Sequence, residues 1–576
     1  MLLEEGGKAL AHYLKPRETG EASMAMPDEM SEMSKTLTKV AESWIASPER
    51  AVKAQVDLWN SYVDVWNNTV KASIGADVKP VIEPERSDRR FQDPEWENPV
   101  FSFLKQSYLV TEHWAKAMVE EATDIDDHTR HKADFYITQL SNAIAPTNFF
   151  LTNPAILRET LKSNGENLVR GMHMLAEDIQ TGEGELKVRM SDNEKFAVGE
   201  NIAMTPGKVI YENELMQLIQ YEPTTRNALA KPLLIVPPWI NKFYILDLAP
   251  GKSFIEWAVS EGLTVFTISW VNPDERHAEK SFEDYMKDGI LEAVRVALEI
   301  TREDDLNIIG YCVGGTLLAC TLAYMAAKGD DRIQSATFLT TQVDFKHAGD
   351  LKVFVDEEQL SVLEEQMKER GYLEGKKMAN AFNMLRSNDL IWPYIINNYM
   401  LGKQPFPFDL LYWNSDSTRM PAANHSFYLR NCYLENKLSQ GQVVIDNTRL
   451  DLSRVEIPIY NLATREDHIA PAKSVFLGSA FFGDNVRFVL AGSGHIAGVI
   501  NPPAKNKYQY WTGGPAVGEL EDWFQDAEET PGSWWPDWVD WIRSHSDREV
   551  TARKPGSTRK YKAIEDAPGS YVKVKA

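Results

Sequence analysis

Cysteine is scarce in this chain: 576 residues contain three, Cys312, Cys320 and Cys432. So few thiols leave no disulfide framework and no cysteine-rich metal site. Long apolar runs are also missing. No stretch approaches the roughly 18 residues that a membrane span requires. The start, MLLEEGGKALAHYLKPRETG, lacks a basic segment followed by a sustained apolar one, so no signal peptide is expected. Positive charge is in deficit, with 61 Lys and Arg against 84 Asp and Glu and a net charge of -23. That balance argues against a nucleic-acid partner and for a soluble, cytoplasmic chain. Hydrophobic residues make up 43% and charged residues 25%, which excludes wholesale disorder. What is plentiful is tryptophan, with 16 residues.

One stretch organises the rest. Leu306 to Ile309 is a short apolar run fit for a buried strand. Gly310-Tyr311-Cys312-Val313-Gly314 is a sharp turn, and beyond it Leu317, Leu318, Thr321, Leu322 and Met325 recur at helical spacing. Strand, Gly-x-nucleophile-x-Gly turn and helix compose the nucleophile elbow of the α/β-hydrolase fold. The helix would aim its N–H groups and positive dipole end at the Cys312 sulfur. Read blandly, the same residues are an ordinary βα turn with a buried cysteine. Cys320 and Cys432 are read as core.

Five regions follow from composition and periodicity. Residues 1–90 are an N-terminal region whose first 35 or so residues are polar and expected to be mobile. Within it Val52, Val56, Trp59, Val63, Trp66 and Val70 form a helical stripe. That stripe either packs on its own domain or docks on a partner or apolar particle. Residues 91–190 predict a helical domain. Residues 191–343 predict the first part of a sheet, opening with antiparallel strands at 195–202, 208–211 and 216–221. Buried parallel strands at 232–236, 264–270, 306–309 and 335–341 follow, alternating with helices. Residues 344–455 break the alternation and read as an inserted helical cap. Residues 456–576 restore the sheet with strands at 457–462 and 486–490, then end in GSWWPDWVDWIRSH and a basic tail that folds back as strands.

In this fold the acid and the histidine follow the nucleophile on loops after later strands. Asp467, in TREDH, fits the acid, with Glu466 as its competitor. His495, in AGSGHIAG, fits the base, with His468 as the alternative; His347 and His425 are read as structural. The oxyanion hole would combine the Val313 N–H with one from the loop 237–242, for which Ile240 is favoured.

These residues resemble the class I polyhydroxyalkanoate synthases. The likeness runs from about Phe91 to the end, through VPPWINKFYILDL, SWVNPD, GYCVGGT, LTTQVDF, REDHIAP, GSGHIAGVINPPAKNKYQYW and GSWWPDW. Val271 in SWVNPD stands where the family usually has arginine. The resemblance implies polymerisation of (R)-3-hydroxyacyl-CoA, chiefly 3-hydroxybutyryl-CoA, with CoA released and a thioester carried on Cys312. It implies no metal and no redox cofactor, an active homodimer formed partly through the cap, and residence on cytoplasmic polymer granules, where other granule-associated proteins are possible partners. It also marks Asp247 and Ala497 as substrate-binding candidates. A depolymerase or thioesterase of the same fold, and an inactive granule-coating protein, are the rival expectations.

Overall fold

The computed structural model describes residues 2–18, 28–85, 88–546 and 548–576. The chain divides into two compact units, Met1–Asp192 with Phe382–Phe406, and Asn193–Ala381 with Pro407–Ala576.

The first unit is helical. Its helices start where sequence caps them: Asn98 accepts from the Val100 N–H ahead of Pro99, and Asn153 accepts from Ala155 and Ile156 ahead of Pro154. Where the sequence suggests a mobile start, Leu2–Glu18 and Asp28–Ile45 are helices. Ala9 is buried with Ala176 and Ile179, and Val40 and Trp44 are buried with Val119 and Ala133. The rest of that stretch, residues 1 and 19–27, lies outside the described residues.

The Val/Trp stripe on the Pro48–Ser73 helix is largely left open, its one ring contact being Trp66 edge to face with Phe103 at 6.1 Å among the described residues. Trp59 is 68% exposed and Trp66 59%, and Val52, Val56, Val63 and Val70 are exposed with them. A second face, carrying Ala51, Ala54, Tyr62 and Val65, turns inward instead. Its small residues let the Pro99–Glu120 helix approach until Trp114 Nε1 donates to Ala54 O (3.1 Å) and Tyr62 Oη meets Thr111 Oγ1 (2.7 Å).

The second unit is built on an eleven-stranded sheet. In chain order its strands are β1 (Gly207–Glu212), β2 (Met216–Tyr221), β3 (Leu233–Val236), β4 (Val265–Trp270), β5 (Leu306–Tyr311), β6 (Ile333–Leu339), β7 (Ile459–Thr464), β8 (Val486–Ala491), β9 (Gln509–Thr512), β10 (Glu528–Pro531) and β11 (Glu565–Asp566). Their spatial order is β10-β9-β8-β7-β6-β5-β3-β4-β2-β1-β11. The run from β8 to β4 is parallel, and both flanks are antiparallel. Every residue of β3, β4, β5 and β7 is buried, as parallel strands covered on both faces require.

The strand expected at 195–202 is absent. Gly199 takes a positive φ and its N–H bonds Ile202 O at 2.7 Å, closing a tight turn there. The last residues do return to sheets, with β11 on β1 and Glu549–Thr551 on Asn227–Leu229. Between β6 and β7 the chain passes through short helices, including Glu357–Arg370, Gly375–Leu385 and Ala422–Tyr428. Residues 382–406 of this insertion group with the first unit, and the remainder with the sheet. Among the described residues no helix is long and apolar enough to cross a membrane.

Candidate active site

Cys312 stands between β5 and the helix Val313–Lys328, with φ 52° and ψ -125°. A non-glycine residue held there costs about 1–3 kcal/mol, which the surroundings must impose. They do so on both sides. The Cys312 N–H is tied to Leu339 O of β6 at 2.9 Å. A Cβ on Gly310 would stand 2.5 Å from Gly315 Cα, so only glycine lets the helix fold back this tightly on the strand. The Cys312 side chain is left half-exposed at the helix N-terminus, whereas Cys320 and Cys432 are buried.

The other two groups converge on it. Asp467 follows β7 and is buried, while its neighbour Glu466 is exposed. The Asp467 carboxylate accepts from Ile469 N and Ala470 N (both 2.8 Å), Thr464 Oγ1 (3.0 Å) and His495 Nδ1 (2.7 Å). Because a carboxylate only accepts, Nδ1 carries the hydrogen and Nε2 is the nitrogen left to serve Cys312. Burial opposes charge on the His495 ring. The Asp467 carboxylate and then Cys312 outweigh it and push the imidazole up to about 10. Burial likewise opposes the Asp467 charge, but His495 and the backbone N–H donors hold the carboxyl below its ordinary value.

The His495 loop is gripped from behind. Tyr311, next to Cys312, donates its hydroxyl to His495 O at 3.1 Å and stacks on the ring with centroids 5.7 Å apart. Trp534 and Trp535 donate their indole N–H groups to Gly498 O (3.0 Å) and Val499 O (2.9 Å). Tyr428 and Tyr433 lie near Cys312, and burial pushes both phenols up. Phe345 joins these two rings in an aromatic wall. None of these supporting residues is marked by a local pattern except Trp534-Trp535, whose doublet in GSWWPDW is itself a signal.

The other expected residues fall as follows. Val313 opens the helix after Cys312, so its N–H has no intrahelical acceptor. Gly314 lies against the loop after β3, where an added Cβ would stand 2.5 Å from Pro237 O. Ile240 is on that loop and buried. Ala497 is half-buried on the histidine loop. Asp247 is buried and engaged by Thr205 N (3.2 Å), Thr205 Oγ1 (2.5 Å) and Ser253 Oγ (2.6 Å). Burial pushes its carboxyl up to about 6 against those donors. Among the described residues, no hydrogen bond joins Asp247 to Cys312, Asp467 or His495.

A half-exposed cysteine beside a buried imidazole and carboxylate is an arrangement suited to acyl transfer through a covalent intermediate. Comparison with known proteins narrows the class. The family described as poly-beta-hydroxybutyrate polymerase (PhaC) N-terminus matches residues 87–258, and the α/β hydrolase fold matches residues 232–502. The poly(3-hydroxyalkanoate) polymerase subunit PhaC of Rhizobium meliloti (strain 1021) is 59% identical over 574 residues, covering 100% of this chain and 94% of its own. The poly(3-hydroxyalkanoate) polymerase of Methylorubrum extorquens is 57% identical, covering 100% of this chain and 96% of its own. The PhaC subunit of Cupriavidus necator is 41% identical over 498 residues, covering 85% and 83%.

Proposed function

Since the chain belongs to the PhaC family of poly(3-hydroxyalkanoate) polymerases, we propose how its cysteine site builds a polyester. The enzyme is an acyltransferase that joins hydroxyacyl units into poly(3-hydroxyalkanoate). Its substrate is (R)-3-hydroxyacyl-CoA, chiefly (R)-3-hydroxybutyryl-CoA. The scheme consists of proton transfer and acyl exchange, so it calls for no metal and no redox cofactor.

Cys312 gives its proton to His495 Nε2 and attacks the thioester carbonyl. The N–H groups of Val313 and Ile240 receive the oxyanion. The C–S bond to CoA breaks, and His495 returns the proton to the leaving thiolate. One thioester has replaced another at little change in free energy, so the acyl group stays activated on sulfur. A serine ester would discard that activation before the polymer bond formed. The 3-hydroxyl of a second unit then attacks the acyl-Cys312 carbonyl, losing its proton to His495, with Asp467 stabilising the imidazolium that forms. Ester formation expels the Cys312 thiolate, which attacks the thioester of the lengthened acyl-CoA and takes back the chain, while His495 passes the hydroxyl's proton to the departing CoA thiolate. The aromatic wall of Phe345, Tyr428 and Tyr433 limits water, whose attack would end the chain.

The observation that carries this reading is the 2.7 Å contact of His495 with Asp467 behind a half-exposed Cys312. The exposed Val/Trp stripe of the Pro48–Ser73 helix supports residence on the polymer granule, with the aliphatic polyester as the surface it covers. Phe406 of the insertion, 87% exposed, supports a homodimer contact through the cap. Incubation of the purified chain with (R)-3-hydroxybutyryl-CoA tests the proposal. Thiol release with rising polymer mass is expected; thiol release with free 3-hydroxybutyrate identifies a thioesterase and overturns it.

A further inference from the structure

The loop after β3 is held by a set of polar groups, buried except for Lys575, that the catalytic scheme leaves unused. Lys242 and Asp416 are an ion pair with 3% and 2% of their side chains exposed, Nζ to Oδ1 at 2.8 Å. Asp416 also accepts from Tyr244 Oη at 2.8 Å and from Lys575 Nζ at 2.9 Å. Lys242 Nζ donates to Val574 O as well, at 2.9 Å. Chain segments far apart in sequence therefore meet on one carboxylate.

The residues after Asp416 grip the main chain of the same loop. Thr418 Oγ1 lies 2.6 Å from Trp239 O and 2.7 Å from Ile240 O. Asn241 bridges Ser417, and Trp413 Nε1 donates to Lys242 O at 2.8 Å. In a planar trans peptide the C=O and N–H point opposite ways. Drawing the Trp239 carbonyl to Thr418 therefore turns the Ile240 N–H to the other side of the loop. The loop's entrance, Val236 O and Pro237 O, lies against Gly314, two residues past the nucleophile.

Stability alone is a weak reason for such a cluster. Burying two charges costs several kcal/mol per ion before the pair repays it, and apolar replacements are often as stable. What ions and hydroxyls supply that apolar contacts do not is direction.

We propose that Lys242, Asp416 and Thr418, with Lys575 closing the cluster, are positioning residues that aim the Ile240 N–H at the oxyanion formed on each acyl transfer. This rests on the polymerase reading above. Thr418→Val keeps the side-chain volume and removes the hydroxyl shared by the two loop carbonyls; Lys242→Met removes the buried cation.

Both variants are assayed for CoA release from (R)-3-hydroxybutyryl-CoA, per active site counted by alkylation of Cys312. Each is expected to lower kcat on the order of 100-fold, the usual result of misplacing a catalytic group by an ångström, with KM within twofold of wild type. Thr418→Ser, which keeps the hydroxyl, is expected to retain the wild-type kcat. A merely structural role would lower the number of active sites and the melting temperature, leaving kcat per site unchanged. Should Lys242→Met fail to fold, Thr418→Val decides. Thr418→Val at wild-type kcat per site overturns the proposal if wild type polymerises in the same assay; a silent wild type overturns the polymerase reading instead.

Discussion

Replacing Asp467 by Asn keeps shape and removes one charge from a carboxylate that accepts four hydrogen bonds. The amide oxygen can still take the Ile469 and Ala470 N–H groups, so the amide nitrogen must face His495 Nδ1. Two donors cannot meet there. The imidazole then moves its hydrogen to Nε2, the nitrogen that in the proposed scheme takes protons from Cys312 and from the incoming hydroxyl. Moving the ring from 6.5 to about 10 corresponds to a ceiling of about 5 kcal/mol between its protonation states. Cys312 supplies part of that. A loss of about 3–4 kcal/mol is therefore expected, on the order of 10²–10³ in elongation rate. Acylation suffers less, because a thiol gives up its proton far more readily than an alcohol. Rapid-quench measurement of the first CoA released, beside steady-state release over many additions, separates the two steps. An Asn variant that elongates within fivefold of wild type refutes this reasoning, as does one whose first acylation is slowed more than its elongation.

Cys312→Ser is expected to fold like wild type and lose polymerisation by at least about 10³-fold, the scale seen when a nucleophile is removed; circular dichroism and CoA release check both halves. Since folding raises the His495 ring from 6.5 to about 10, the stabilisation from its pairing is full below pH 6.5 and is lost as pH rises toward 10. Unfolding free energies from urea titrations across that window should fall by a few kcal/mol more for wild type than for His495→Gln, and equal losses count against the pairing. Changing Trp59 and Trp66 together to Ser is expected to leave turnover on soluble substrate within twofold while reducing sedimentation with isolated polymer several-fold; unchanged sedimentation removes the stripe from granule binding.

Much of the site was legible because its signals are local. The elbow needs its glycines beside Cys312, the acid and base need loops after strands, and Cys312, Asp467 and His495 follow the order those loops impose. Periodicity exposed the stripe on the Pro48–Ser73 helix but not which face is covered, because Ala51, Ala54 and Val65 offer a competing face that brings two backbones closer. The cluster around Asp416 was invisible: Lys242, Asp416 and Lys575 are far apart in sequence and each is an ordinary charge until the sheet closes. Asp247 was singled out by resemblance, while its bonds to Thr205 and Ser253 tie down the turn in which it sits.

The anchorage of the sulfur has a mechanical consequence. A polymer tethered to Cys312, as proposed, would exert a load on its attachment point, and that load would grow as the product lengthens. The attachment is a residue at the end of β5, a strand clamped on one side by β3 and on the other by β6. Under the proposed scheme such a mount would not swing with the cargo, so the reacting carbonyl would return to the same place after every addition, whatever length of product trails from it.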